Sequence, residues 1–503
     1  MRNEVRQFNL STGAEKLSSL KYILIISLTA ALLVFAIVRY GFSAGIGMVV
    51  APLFIFYLFQ VFRKPITGFY SAIVLDFFLL GAARYLPVDL TIGPAMDFVL
   101  ILTYVSVFFN AFYEGINWKP AKKDITLLAA IWFGFTVLQF FNPEIHSRTA
   151  YFAGVRGISF YMMLTIPLVL LLITDMRKVD VFFMIWGGLS ILGSLKGILQ
   201  ITVGVDPWEQ AWLDNFGAPM HIIFGQLRAF SFYSDAGQFG ANQAYSAVMA
   251  TILVFAEKTI RKRVFFLFVA LLGFMGMFLS GTRGAMSIPL AGFFLFFVLN
   301  KNVRILICGL VLLVMVVLFF KMTWVGQSNQ YIRRMRSAFN FNDPSLQVRL
   351  ENQQRLKTYL ATRPFGAGIG QSGIRAKIYT PDSVLSNIPT DSWYVMIWVE
   401  QGIPGLALHL FILLYILIKA SYLIMFRIRD HVVKMKMSAL AAGMFGVMIA
   451  SYGNAVLGSM PTSLLIYTSM ALMLNAKKLD DQDPATEPNV SSTDEDLIEN
   501  QDQ

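Results

Sequence analysis

The stretch from Ser43 to Phe62, SAGIGMVVAPLFIFYLFQVF, contains no charged residue and is followed at once by Arg63 and Lys64. At 1.5 Å per residue, an α-helix of this length covers roughly 30 Å, the thickness of the hydrocarbon core of a bilayer. A basic pair directly after such a stretch is typical of a helix that ends at the cytoplasmic surface of a membrane. This stretch therefore predicts a membrane-spanning helix.

Apolar blocks of similar length recur along the chain. The 503 residues are 56% hydrophobic and only 14% charged, which is too little charge to wet the surface of a soluble protein of this size. The first block along the chain, from Tyr22 to Val38, is followed at once by further membrane segments. We therefore interpret it as a retained helix and not as a cleaved signal peptide. The sequence predicts an all-α polytopic membrane protein with about 14 transmembrane helices, near residues 22–38, 43–62, 66–83, 91–112, 125–142, 158–174, 181–203, 237–256, 264–280, 285–300, 305–320, 393–418, 438–455 and 461–475.

Basic clusters occupy every second connection between these predicted helices. Because Lys and Arg are retained on the cytoplasmic side, this alternation predicts a multi-pass membrane protein with both termini in the cytoplasm. The formal net charge of +11 is scattered between helices, whereas a nucleic-acid partner would require it on one solvated surface. The clusters are Arg63-Lys64, Lys119/Lys122/Lys123, Arg177-Lys178, Lys258/Arg261-Lys262-Arg263, Lys301/Arg304 and Arg427/Arg429/Lys434/Lys436.

The connections divide the chain into five parts. Residues 1–21 form a cytoplasmic N-terminal segment, residues 22–320 contain helices 1–11, and residues 392–475 contain helices 12–14. Between them, residues 321–391 form one large outer loop, which we expect to be partly helical because Ser345 to Arg363 has a helical pattern with Pro344 near its start. Residues 476–503 form an acidic cytoplasmic tail whose composition predicts disorder.

Arginine dominates the basic residues that the topology assigns to the outer face and the membrane. There, thirteen of the seventeen Lys and Arg residues are Arg, whereas the cytoplasmic set is mostly Lys. A guanidinium group binds two phosphate oxygens at once, which an ammonium group cannot do. The outer face is therefore expected to bind a phosphate-bearing ligand, although snorkelling and loop solubility explain part of this set.

A short polar interruption, Ser280-Gly-Thr-Arg-Gly-Ala285, separates two apolar stretches at the outer boundary. An arginine at membrane depth is costly unless it meets an anion or a water-filled cavity. Arg283 is therefore a candidate phosphate ligand at the bottom of an outer cleft. The alternative is a tight turn whose arginine extends to the lipid headgroups.

Further motifs follow in the large loop and the next helix. The loop contains Arg349 and Arg355 on its predicted helix, then Arg363-Pro-Phe-Gly-Ala-Gly-Ile-Gly370, and it closes with Thr390-Asp391. The next helix carries Glu400-Gln-Gly-Ile-Pro-Gly405. In this order, and with this topology, residues 225–410 resemble the O-antigen polymerase and ligase superfamily, which includes the Wzy-type polysaccharide polymerases.

The resemblance implies a glycosyltransferase of the bacterial inner membrane that needs no metal and no cofactor. Its substrates would be oligosaccharide repeat units linked to undecaprenyl pyrophosphate, polymerised into O-antigen, capsule or exopolysaccharide on the outer face. Arg283 and Arg349 would bind and stabilise the pyrophosphate, with Arg355 on the same predicted helix as a further ligand, and Asp391 would be the general base. Partners would be the lipid-linked oligosaccharide and membrane lipids, with a chain-length regulator and a flippase as further partners.

The family's other outer motif resembles the segment from Arg228 to Gly240. Within it, Arg228 and Tyr233 are candidate substrate ligands. Asp235 stands where the family often has a Pro-Asn pair, and it is either a second candidate base or a helix N-cap. Arg156, at another outer boundary, is a further candidate phosphate ligand.

Three other functions stay open. Ligases of the superfamily resemble one another in a His-Asn pair where this chain has Thr390-Asp391, and none of its four histidines takes that place. This difference favours a polymerase over an O-antigen ligase or a protein O-oligosaccharyltransferase. A flippase or transporter is expected to lack a large one-sided loop, and a scaffold for an export complex would leave the outer arginines without a role.

Overall fold

The computed structural model describes residues 37–481 except 86–92, 113–114, 224 and 340–343, together with isolated positions between 24 and 35. The predicted segment 1–21, most of the predicted helix 22–38 and the tail beyond Asp481 lie outside the described residues. In the described part the helices run as follows: α1 Phe42–Arg63, α2 Pro65–Ala82, α3 Gly93–Asn110, α4 Asp124–Leu138, α5 Arg148–Val155, α6 Tyr161–Leu172, α7 Met176–Thr202, α8 Pro207–Trp212, α9 Ala218–His221, α10 Ala236–Ala256, α11 Ile260–Leu279, α12 Ser287–Leu299, α13 Val303–Met322, α14 Gln330–Arg336, α15 Pro344–Leu360, α16 Gly373–Tyr379, α17 Trp393–Phe426, α18 His431–Ala450, α19 Thr462–Leu474 and α20 Ala476–Asp481.

The helical content confirms an all-α polytopic membrane protein. Eleven of the described helices are long and apolar enough to cross a bilayer, and two shorter apolar helices, Arg283–Leu299 and Thr462–Leu474, accompany them. One two-stranded hairpin, β1 Ile222–Ile223 and β2 Gln226–Leu227, lies in a connection. Each predicted helix from 43–62 onward has a counterpart, although several boundaries differ.

Local capping explains one of the boundary differences. The helix predicted to begin at residue 181 begins instead at Met176, because the Asp175 carboxylate accepts a hydrogen bond from the Lys178 backbone N–H at 3.1 Å. An Asp N-cap satisfies an otherwise unpaired backbone donor and therefore starts the helix there. A second difference is α5, which begins at Arg148 and passes through a π-helical turn, Arg156–Phe160, into α6.

Helices α10 and α18 form the centre of the bundle. In their most apolar windows 83% and 78% of the residues are buried, against 11% for α1 and for α13. Small residues permit this packing, because a Cβ placed on Gly273 of α11 would lie 2.9 Å from the Gln243 carbonyl of α10, and one on Gly292 would lie 2.8 Å from the Ala442 carbonyl of α18. Close backbone approach through Gly and Ala is the usual way in which membrane helices associate.

The 321–391 segment is attached to the bundle at a break in α17. Gly402 has φ 69° and ψ −169°, and the next turn contains Pro404, which has no backbone N–H. The break leaves the carbonyls of Val399 and Glu400 without helical partners. They accept hydrogen bonds from the Ala367 and Gly368 backbone N–H groups at 2.8 and 3.0 Å. The glycine-rich motif of the segment is thus the partner that the broken helix requires.

Substitution of Gly402 tests whether the break in α17 stabilises the fold. A Cβ at Gly402 would overlap the Pro364 carbonyl oxygen, and its positive φ disfavours any other residue. We expect Gly402→Ala to cost about 1–3 kcal/mol from backbone conformation alone and to lower the melting temperature of the detergent-solubilised protein. Gly134→Ala is the matched control, because Gly134 lies within α4 with nothing near its Cβ position. Equal melting temperatures for the two variants would contradict this account of the break.

The predicted tail overlaps the described part of the chain at residues 476–481. Its first six residues form α20, and the buried Asp480 carboxylate accepts hydrogen bonds from the Arg429 and Asp430 backbone N–H groups, both at 2.9 Å. These contacts cover the backbone just before α18. They give residues 476–481 a packing role that their composition did not indicate.

Candidate active site

Four connections meet at the end of the bundle where α10, α17 and α19 begin. They are residues 203–235, the turn 280–286, the 321–391 segment and residues 451–461. Arg228 of the first contacts the turn, and Arg283 of the turn contacts Ser337 of the segment. Trp393, the first residue of α17, donates its backbone N–H to the Ser451 carbonyl at 3.0 Å. We call this region the polar end.

Arg228 holds the 280–286 turn in place. Its Nε donates to the Ser280 carbonyl at 3.0 Å, its Nη2 to Thr282 Oγ1 at 2.8 Å, and its Nη1 to the Met220 carbonyl at 3.0 Å. Thr282 in turn donates its hydroxyl to the Ala236 carbonyl at 2.9 Å. Because the Arg228 guanidinium has three protein acceptors, the structure gives it a positioning role beside its predicted role as a substrate ligand.

Three arginines crowd around this turn. A Cβ placed on Gly281 would lie 3.2 Å from Arg334 Cδ and 3.8 Å from Arg228 Cγ. Burial, together with the charges of Arg334 and Arg283 and against the opposing charge of Asp235, lowers the pKa of Arg228 to about 10. Arg228 therefore stays protonated at neutral pH. The positive charges of these three arginines repel one another, and an anion bound among them would offset that repulsion. The cluster is therefore suited to binding an anion.

Arg283 begins a short 3₁₀ turn, Arg283–Met286, and its Nη1 donates to Ser337 Oγ at 3.3 Å. This contact joins the turn to the residues that follow α14. Arg334 of α14 was not among the predicted site residues. A signal was present in the dense basic run Arg333, Arg334 and Arg336, but the sequence could not show which of these arginines faces the turn.

Arg349 and Asp391 are paired, although 42 residues separate them in sequence. Arg349 Nε donates to Asp391 Oδ2 at 3.2 Å, and both side chains are partly exposed. They line a cavity of about 120 Å³ together with Asn352, Gln353 and Tyr452. The N-cap of α17 is Ser392, whose hydroxyl accepts from the Val395 backbone N–H at 3.4 Å. Asp391 is therefore not the cap, and its carboxylate faces the cavity with Arg349.

Asp235 and Tyr233 are engaged within the fold. Asp235 caps α10, accepting from the Gly237 and Gln238 backbone N–H groups at 2.7 and 3.0 Å and from the Ser234 hydroxyl at 2.7 Å. Tyr233 is fully buried, and its hydroxyl donates to Asn242 Oδ1 at 2.9 Å. Asp235 thus caps α10, which is one of the two roles considered for it, and Tyr233 stays a predicted ligand that is buried in this structure.

Arg156 and Arg355 each form an ion pair with a carboxylate of the protein. Arg156 lies in the π-helical turn and forms an ion pair with Asp97 at 2.7 Å. Arg355 is well exposed on α15 and pairs with Glu351 one turn earlier at 2.6 Å. An exposed pair of this kind contributes little to stability. The structure thus brings Arg228, Arg283 and Asp235 to one side of the polar end and Arg349 and Asp391 to the other.

Residues 451–461 join these two groups. A Cβ placed on Gly453 would lie 3.9 Å from Arg349 Nη1, and one placed on Gly284, next to Arg283, would overlap Asn454 Nδ2. No pattern in the sequence marks this connection as part of a site, because Tyr452-Gly453-Asn454 carries no charge. Its importance follows only from its position between the two arginine sites.

Comparisons with known proteins address the same part of the chain. A family model described as O-antigen ligase matches residues 266–410, which run from α11 into α17 and include Arg283, Arg349 and Asp391. An O-antigen polymerase of Salmonella muenchen is 25% identical over 192 residues. That alignment covers 37% of this chain and 45% of the relative, so less than half of the relative's length is matched. The two comparisons confirm the resemblance predicted from the motifs: this chain is similar to the O-antigen polymerases and ligases, and the similarity includes the turn, the segment and the broken helix that build the polar end.

Proposed function

We propose that this protein polymerises oligosaccharide repeat units linked to undecaprenyl pyrophosphate. The observation that carries the proposal is the arrangement at the polar end, where a cluster of arginines lies across residues 453–454 from an Arg349–Asp391 pair. The similarity to an O-antigen polymerase and to the O-antigen ligase family supports a role in polysaccharide synthesis.

In the proposed reaction, a hydroxyl oxygen of one lipid-linked repeat unit attacks the anomeric carbon of a second. The bond from that carbon to the pyrophosphate oxygen breaks, and the lipid pyrophosphate leaves with the electron pair. Arg283 and Arg349 stabilise the charge that gathers on it, since preorganised donors are most effective where charge develops. The proton of the attacking hydroxyl passes to the Asp391 carboxylate.

The Arg349–Asp391 pair gives this scheme a simple first step. An anionic pyrophosphate competes with Asp391 for the Arg349 guanidinium, because both ligands offer oxygens to the same donors. The pair is partly exposed, so separating it costs little. Binding of substrate would then release the carboxylate to act as the base.

A ligase is the second candidate, favoured by the description of the family that matches residues 266–410. Mass spectrometry of lipid-linked glycans from a deletion strain separates the two functions. We expect single repeat units to accumulate on the carrier, and wild-type protein supplied in trans to restore polymer. Full-length polymer accumulating on the carrier would show a ligase instead, and an unchanged glycan pool would exclude both.

The orientation in the inner membrane is part of this proposal and has its own test. With Cys308 replaced by serine, we expect a membrane-impermeant maleimide to label a Thr362→Cys variant in intact spheroplasts, because the 321–391 segment would face outward. A Lys258→Cys variant is the matched control and should react only after permeabilisation. Both positions are exposed. The reverse pattern would invert the topology and place the polar end in the cytoplasm.

A further inference from the structure

The connection between α18 and α19, residues 451–461 of the polar end, is anchored by hydrogen bonds to three helices. The Ser451 carbonyl accepts hydrogen bonds from the Trp393 backbone N–H at 3.0 Å and the Ser392 hydroxyl at 3.3 Å. Further along, the Ala455 carbonyl accepts from Gln238 Nε2 at 3.1 Å. Between these anchors, the Asn454 backbone N–H donates to the Ala450 carbonyl at 3.1 Å. The position of Asn454 is therefore determined by α10, α17 and α18 together.

The side-chain amide of Asn454 is the unusual feature of this connection. Its Nδ2 is buried, yet it donates to none of the described residues. Buried donors are nearly always hydrogen-bonded, because an unpaired one loses its interactions with water and gains none in return. Asn454 as a whole is only partly buried, so its unpaired amide group is suited to an acceptor that binds beside it.

The surroundings of Asn454 indicate what that acceptor is. On one side, Nδ2 packs directly against Gly284, the residue that follows Arg283, because a Cβ placed on Gly284 would overlap it. On the other side, the adjacent Gly453 lies beside Arg349 Nη1. A ligand that reaches all three groups must carry negative charge and several acceptor oxygens, which a pyrophosphate does.

We propose that Asn454 Nδ2 donates a hydrogen bond to an oxygen of the substrate pyrophosphate, between the oxygens bound by Arg283 and Arg349. This assignment rests on the proposed function. An amide suits the position better than a carboxylate, because a carboxylate here would pair with the arginines and repel the anion. Asn454 is thus a substrate-binding residue from a connection that lies outside residues 266–410.

The test is binding of undecaprenyl pyrophosphate to the purified full-length protein in phosphatidylcholine nanodiscs, which present no anionic lipid to compete. We expect Asn454→Ala to weaken binding by roughly 10- to 100-fold, the effect of one hydrogen bond to a charged group. Its melting temperature should not fall, since Nδ2 has no partner among the described residues. We expect Asn454→Asp to weaken binding at least as much.

Asn475→Ala is the matched control. Asn475 lies at the other end of α19, where its Oδ1 accepts from Lys123 Nζ at 2.6 Å, and this variant should bind as the wild type does. Arg283→Ala provides the reference for the proposed function. If Arg283→Ala weakens binding and Asn454→Ala does not, the Asn454 assignment alone is wrong. If neither changes it, the pyrophosphate site itself is elsewhere. A fall in the melting temperature of Asn454→Ala with unchanged affinity would show a structural role and overturn the assignment.

Discussion

Asp391→Asn is expected to abolish most polymer formation while the protein remains folded and correctly inserted. A general base typically contributes about 10²–10⁴ in rate, and an amide cannot accept the proton of the attacking hydroxyl. The fold should tolerate the change, because Ser392 caps α17 and the Arg349–Asp391 pair is partly exposed. Loss of such a pair costs about 0–1 kcal/mol.

The matched control is Asp235→Asn. Asp235 accepts two backbone N–H groups at the start of α10, and Asn caps a helix about as well as Asp. We therefore expect this variant to retain most activity. The measurement is repeat-unit polymerisation by purified protein, with the yield after size-exclusion chromatography as the check on folding. If Asp235→Asn is inactive and Asp391→Asn is active, the base belongs to the earlier connection. Activity in both would remove carboxylate catalysis from the mechanism.

Arg283→Lys and Arg349→Lys should each reduce the rate by roughly 10²–10³, or about 3–4 kcal/mol of transition-state stabilisation. Each substitution keeps the positive charge but loses the planar fork that binds two phosphate oxygens. For Arg283 the alternative was an arginine that extends to the lipid headgroups, a role that lysine fills equally well. The conservative substitution therefore discriminates between the two interpretations.

Arg333→Lys is the control for these variants, because Arg333 is an exposed residue of α14 in the same 321–391 segment. Its rate should match that of the wild type. Rates should be measured with substrate in excess, so that weakened binding is not mistaken for slower chemistry. Near-normal rates for well-expressed Arg283→Lys and Arg349→Lys proteins would be incompatible with a phosphate clamp at the polar end.

The candidate site was predictable where it depends on charge and only partly where it depends on geometry. Arg283, Arg349 and Asp391 stand out in sequence because charged groups at a membrane boundary require a reason. Arg334 could not be separated from Arg333 and Arg336, because neighbours on a short helix differ only in the direction that they face. Arg228 was predicted as a ligand, yet its three hydrogen bonds to the protein depend on how the turn folds back upon it.

The sequence by itself determined the class of this protein, the number and order of its apolar helices from residue 43 onward, and the position of the long 321–391 segment. These properties follow from hydropathy and helix length, which are local along the chain. Only the tertiary structure decided that Gly366–Gly370 pairs with the broken helix at Gly402, that Ser392 and not Asp391 caps α17, and that uncharged Asn454 lies between two arginine sites. The first and the third depend on which connections meet when the helices pack, and residues so distant in sequence share no local pattern. The second depends on the backbone conformation at the start of α17, because Asp and Ser are both good capping residues and stand next to each other here.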